Sequence, residues 1–116
     1  MDDGAVKTLF LPFENGGLPY PAEGARFLFL NAAVPLSSGH DWTASLDCVQ
    51  GFRPGFLALQ GSGFRVSPEM GQGTYSGALA LLGKHRELNR RAIYAALENT
   101  LPGGPVVIAG AKTSGV

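Results

Sequence analysis

Cysteine is all but missing from this 116-residue chain. Cys48 stands alone, so no internal disulfide can form, and the stapled scaffold of a small secreted protein is excluded. Net charge is missing as well: nine basic and nine acidic side chains cancel. The molecule as a whole is therefore no electrostatic trap for nucleic acid or anionic membrane, and any such site must be a local cluster. No apolar run approaches the roughly 18 residues of a membrane span, and there is no internal repeat and no block of like charge. The opening Met1-Asp2-Asp3 is acidic where a signal peptide carries positive charge. Together these absences lead us to expect a soluble, cytoplasmic protein in a reducing compartment. Two histidines and one cysteine offer no C-x-x-C or H-E-x-x-H spacing, so no metal site is expected.

What is present is a core. The chain is 45% hydrophobic with a mean hydropathy of +0.10, and its length suits one domain. Seventeen glycines and eight prolines add tight turns without reaching low complexity. Residues 5–24 hold the apolar patch Leu9-Phe10-Leu11-Pro12-Phe13, then Asn15-Gly16-Gly17 and two more prolines, and read as a packed, irregular leading segment. Residues 26–31 form a continuous apolar run of strand length, which fits a sheet covered on both faces. A loop follows through Ser37-Ser38-Gly39. Strands are expected at 46–50, 64–66, 78–82 and 106–109, with a short helix at 53–60 ended by Gly61-Ser62-Gly63. From 85 to 100, Leu88, Ala92, Ile93, Ala96 and Leu97 recur at intervals of three and four, predicting a helix lying on the sheet. Leu88, Ile93 and Leu97 are expected to pack near Leu79, Leu81 and Val107. Uniformly apolar strands alternating with helices imply a parallel sheet and a Rossmann-like α/β fold.

A sheet of this kind binds nucleotides beyond the carboxyl ends of its strands, over a glycine-rich turn after the first strand. Here that turn is Asn31-Ala32-Ala33-Val34-Pro35, without glycine, and the second strand ends in Gln50 where an acid would clasp a ribose. Gly71-Gln72-Gly73-Thr74-Tyr75-Ser76-Gly77 is one residue too long for the fingerprint and leads into a strand. Asp47 lies within a strand, and His40-Asp41-Trp42 fits a surface loop anchored by a buried Trp42. Ser62 fits a turn, and Cys48 fits the core. One cluster remains. Lys84, His85, Arg86, Arg90 and Arg91 fall within eight positions, with Glu87 the sole acid among them. Arg86 and Arg90, one helical turn apart, can address one phosphate-bearing surface. The other reading of the cluster is a solvated helix face on which Glu87 and Arg91 pair.

The run Ala80-Leu81-Leu82, Lys84-His85, the helix that follows, Leu101-Pro102-Gly103-Gly104 and Val107-Ile108-Ala109-Gly110 resembles the second half of a class I S-adenosylmethionine-dependent methyltransferase. More narrowly, Gly110-Ala111-Lys112-Thr113-Ser114-Gly115-Val116 resembles the close of the N-terminal domain in the bacterial ribosomal RNA small subunit methyltransferase C family, and residues 26–31 are similar to its first strand. The resemblance covers residue 26 onward, and the closing segment is its most specific part.

In that family two methyltransferase-like domains stand in tandem. The second binds the methyl donor and modifies a guanine exocyclic amine in ribosomal RNA. The first is a degenerate copy that aids folding and RNA recognition. The resemblance thus implies an incomplete or degenerate methyltransferase fold over residues 1–116, with a catalytic domain and its S-adenosylmethionine expected beyond them. The implied partners are ribosomal RNA or the small ribosomal subunit, and the chain's own catalytic domain, with no membrane. The catalytic Asn-Pro-Pro-aromatic motif is replaced here by Leu82-Gly83-Lys84-His85, so no catalytic or cofactor-binding residue carries over. The RNA-binding candidates are Lys84, His85, Arg86, Arg90 and Arg91. The alternatives are a methyltransferase domain that binds the donor by itself, and a purely structural docking domain.

Overall fold

In the computed structural model, residues 3–35, 40–71 and 73–110 are described. The chain forms helix α1 (Asp3–Glu14), strand β1 (Phe27–Leu30), a 3-10 turn (Trp42–Ala44), strand β2 (Leu46–Val49), helix α2 (Arg53–Gly61), strands β3 (Arg65–Ser67) and β4 (Gly77–Leu82), helix α3 (Arg86–Glu98) and strand β5 (Val106–Gly110). All five strands are parallel, in the order β3-β2-β1-β4-β5. This is the Rossmann-like arrangement that the uniformly apolar strands predict. Central β1 is buried at all four residues, because helices or turns cover both faces of it. The chain leaves β1 toward β2 and leaves β4 toward β5, so the topological switch point lies between the carboxyl ends of β1 and β4.

Strand alternation divides the core into two layers. Phe27, Phe29, Leu46, Cys48 and Leu79 meet α1, Trp42 and Leu59 of α2 on one face. Leu28, Leu30, Ala78 and Ala80 meet Ala92 and Ala96 of α3 on the other. The first layer is aromatic: Trp42 stands edge-on to Phe10 and Phe13 at ring separations of 5.0 and 5.1 Å. Such pairs are worth about 0.5–1.5 kcal/mol beyond the area they bury.

Two expectations are corrected. The leading segment is not irregular: its first part is α1, which lies across β5 and β4. Ala5, Val6, Leu9, Phe10 and Phe13 are all buried, at the spacings of a helical stripe. Pro12 falls in the last turn, where its missing N–H removes one bond without breaking the helix. Gly16, at a φ of +83°, then turns the chain in the left-handed conformation that glycine adopts freely.

The second correction concerns α3. Its buried residues are Asn89, Ala92 and Ala96, whereas Leu88 and Leu97 are each 55% exposed and Ile93 is half-buried. Leu79, Leu81 and Val107 line the opposite face, under α1 and its neighbours. Small residues let α3 settle onto Ala78 and Ala80, so the helix turns its alanines inward and leaves the larger side chains at its flanks. The other predicted elements lie within one residue of their expected ends, and α3 within two. The loop at Ser37-Ser38-Gly39 and the closing residues 111–116 lie outside the described residues.

Candidate nucleic-acid interface

The turn from β4 into α3 is held by one side chain. Asn89, 3% exposed, accepts from the Gly83 N–H through Oδ1 and donates to the Gly83 carbonyl through Nδ2, both at 2.9 Å. A buried amide is costly unless its polar atoms are matched. Here they are matched by a backbone that would otherwise be free at the end of β4. This bracket sets Lys84, His85 and Arg86 at the carboxyl edge of the sheet, beside the switch point.

All five residues of the basic cluster, Lys84, His85, Arg86, Arg90 and Arg91, are exposed. Arg86 and Arg90 stand one turn apart, as their spacing predicts. The Glu87–Arg91 pair is not formed: among the described residues the ion pairs are Arg26–Asp47 and Arg65–Asp47. The cluster therefore presents its cations without a carboxylate partner.

Across the switch point, the places a nucleotide would use are taken up internally. Asn31 holds a positive φ of 55°, a conformation asparagine tolerates, and its Nδ2 donates to the Leu81 carbonyl at 3.0 Å. This ties the end of β1 to β4. Gln50 donates through Nε2 to the Ala32 carbonyl at 2.7 Å and accepts the Phe52 N–H at 2.8 Å. Both ends of its amide are thus used to join the β1 and β2 termini. Its side chain also packs against Gly55, where an added Cβ would stand 3.1 Å from Gln50 Cγ.

The other residues singled out in the sequence have structural partners. Asp47 binds Arg26 and Arg65, and Arg26 also donates to the Ala44 and Leu46 carbonyls, fastening the start of β1 to β2. Tyr75, beside this group, has its hydroxyl pKa raised, by burial first and by the Asp47 charge second. His40 Nε2 lies 3.0 Å from Ser45 Oγ, and its ring stacks on Tyr20. Asp41 accepts from the Thr43 hydroxyl and N–H, which hold its carboxyl below the usual range. Trp42 is 2% exposed. Ser62 caps the end of α2. Burial pushes the Cys48 thiol up to about 12, with the Asp47 charge adding to it. A thiol so far from ionising is no nucleophile. Among the described residues no group of His, Cys, Asp and Glu could hold a metal ion, and no helix is long and apolar enough to cross a membrane.

No family model, curated protein or solved structure matches the chain. The chemistry on this edge is that of exposed cations beside strand ends whose amides bond to the backbone.

Sequence reasoning missed Asn89, Asn31 and Phe52. Asn89 had a signal, as a polar residue within an otherwise apolar helical stripe. Asn31 had one too, as the residue closing an apolar strand where a left-handed turn is needed. Phe52 had none, because exposure is not written in a Gly-Phe-Arg-Pro turn.

Proposed function

We propose that this chain is a noncatalytic, Rossmann-like RNA-binding module: the N-terminal domain of a cytoplasmic, S-adenosylmethionine-dependent rRNA guanine-N2 methyltransferase. It orients ribosomal RNA and supports the folding of a catalytic domain that carries the methyl donor. The observation behind this reading is the set of exposed cations in the turn after β4 and on α3, with no carboxylate in ion-pair contact among the described residues. In a protein without net charge, an unpartnered cluster at the edge where α/β sheets bind ligands favours a polyanion. A donor site in this chain is disfavoured because the Nδ2 of Asn31 and both ends of the Gln50 amide are bonded to the backbone.

Titration with a small-subunit rRNA fragment at several salt concentrations tests the proposal. Arg86→Glu with Arg90→Glu should weaken binding and flatten the salt dependence by roughly 0.9 log units per log unit of salt for each duplex phosphate no longer neutralised, less on single strands. Unchanged affinity and slope would return the cluster to a solvated helix face. Calorimetry with S-adenosylmethionine should show no binding, and a micromolar dissociation constant would revive the enzyme reading. A docking role has one observation in its favour, the exposure of Leu88, Tyr94 and Leu97 on α3. It predicts that charge reversal leaves RNA affinity intact while Leu88→Asp releases the catalytic domain.

A further inference from the structure

Phe52 is 69% exposed, more than any other large hydrophobic side chain among the described residues. It is held on a fixed base. Its N–H donates to Gln50 Oε1 at 2.8 Å, and its carbonyl accepts the Phe56 N–H at 2.9 Å. Gln50 in turn is anchored by its own N–H on Ser67 and by its side chain on Ala32. A phenyl ring left in water adds nothing to the core, and a ring on a pinned backbone loses little freedom when a planar ligand covers it.

Position completes the case. Phe52 stands three residues beyond the end of β2, and Lys84 two beyond the end of β4, so both rise from the same edge of the sheet. One strand, β1, separates β2 from β4, which places the two strand ends about 10 Å apart at ordinary strand spacing. Exposed Arg53 follows Phe52 in the chain, and exposed Lys84, His85 and Arg86 follow the end of β4 on the other side of β1. The carboxylates at this edge, Glu69 and Glu87, are exposed and in no ion pair.

We infer that this edge holds an unpaired nucleotide, its base stacked on Phe52 and its flanking phosphates on Lys84, His85 and Arg86. The inference rests on the RNA-binding reading and adds the form of the ligand. Base-paired nucleotides keep their faces inside the helix stack, so an aromatic platform beside cations selects loops and single strands.

Anisotropy titrations of the full chain with a short labelled oligouridylate and with a labelled RNA hairpin stem test this. Phe52→Ala and Phe52→Leu should weaken oligouridylate binding about ten- to hundredfold, without changing its salt slope or the affinity for the stem. Phe52→Leu keeps an apolar side chain but has no π-face, so its loss separates stacking from mere contact. Phe52→Trp should retain binding, with its fluorescence quenched by the oligonucleotide, which also shows that the altered turn folds. Arg86→Glu should weaken binding to both ligands and lower both salt slopes. Phe52→Leu binding like the parent, or an equal loss on stem and single strand, overturns the inference. If Arg86→Glu alone weakens binding, the RNA-binding module stands and the stacking site falls; if neither substitution matters, both fall.

Discussion

Ala96→Leu should destabilise this protein more than Leu97→Ala, although the second substitution removes the larger side chain from the same helix. Leu97 keeps 55% of its surface in water, so truncation forfeits less than half of the roughly 1.5–3 kcal/mol that full burial of a leucine supplies. Solvent fills the space, and the higher helix propensity of alanine returns a few tenths of a kcal/mol. The expected cost is about 1 kcal/mol or less. Ala96 is fully buried, in the layer with Ala78 and Ala80. Three added carbons there must adopt a strained rotamer or lift α3 from the sheet, at about 1–3 kcal/mol. Urea unfolding measures both effects. With a slope of about 1–3 kcal/mol per molar, a loss of 2 kcal/mol lowers the midpoint by about 1 M. Trp42, buried under the opposite face, reports the transition by fluorescence, and its agreement with circular dichroism tests for two-state unfolding. If Leu97→Ala lowers the midpoint more than Ala96→Leu does, α3 is rotated and the alanine contact is wrong.

Three other outcomes are expected. Gly104→Ala should cost about 2 kcal/mol or more in the same assay, because an added Cβ would collide with the Ser76 carbonyl and the Thr100 methyl, and a backbone carbonyl cannot step aside. A near-neutral result would show the turn before β5 to be more open. The Cys48 thiol, at about 12 against an ordinary 9.0, should ignore a disulfide reagent at pH 8 until the protein unfolds. Its pKa is raised in the fold, so the stability it contributes is complete below pH 9 and is lost as pH rises from about 9 toward 12. Cys48→Ala should remove that alkaline loss, and an unchanged slope would assign it elsewhere. Asn89→Leu leaves the N–H and carbonyl of Gly83 without their protein partner, a loss of about 1–3 kcal/mol. Faster amide exchange at Gly83 is the direct measurement, and unchanged exchange would show that the bracket does not hold the turn.

The fold class was written in the sequence because β1, β4 and β5 are runs of apolar residues too short for helices and too uniform for half-exposed strands. Proline and glycine punctuation placed α2 and the end of α3. The basic cluster was legible as well, since lysine and arginine on a helix keep their charges in water wherever the helix packs. Tertiary structure decided the rest. The sequence pattern could not say which stripe of α3 meets the sheet, because alanine and leucine both satisfy an apolar period, and only the depth of the groove over Ala78 and Ala80 selects the smaller. Nor did it reveal α1, whose apolar stripe of Ala5, Val6, Leu9, Phe10 and Phe13 is regular but stands beside Pro12, a residue that argues against a helix, and becomes a buried face only when β4 and β5 lie beneath it. The polar locks at Asn31, Gln50 and Asn89 join segments distant in sequence or close only after a turn. Asn89 is buried and must find partners once water is gone, while exposed Asn31 and half-buried Gln50 bond backbone carbonyls next to the strand ends. Asn31 ties the end of β1 to β4, Gln50 ties it to β2, and Phe52 and the cations stay exposed at the same edge. Local sequence thus supplied the charges and the strands, and three-dimensional packing decided which of them line one edge.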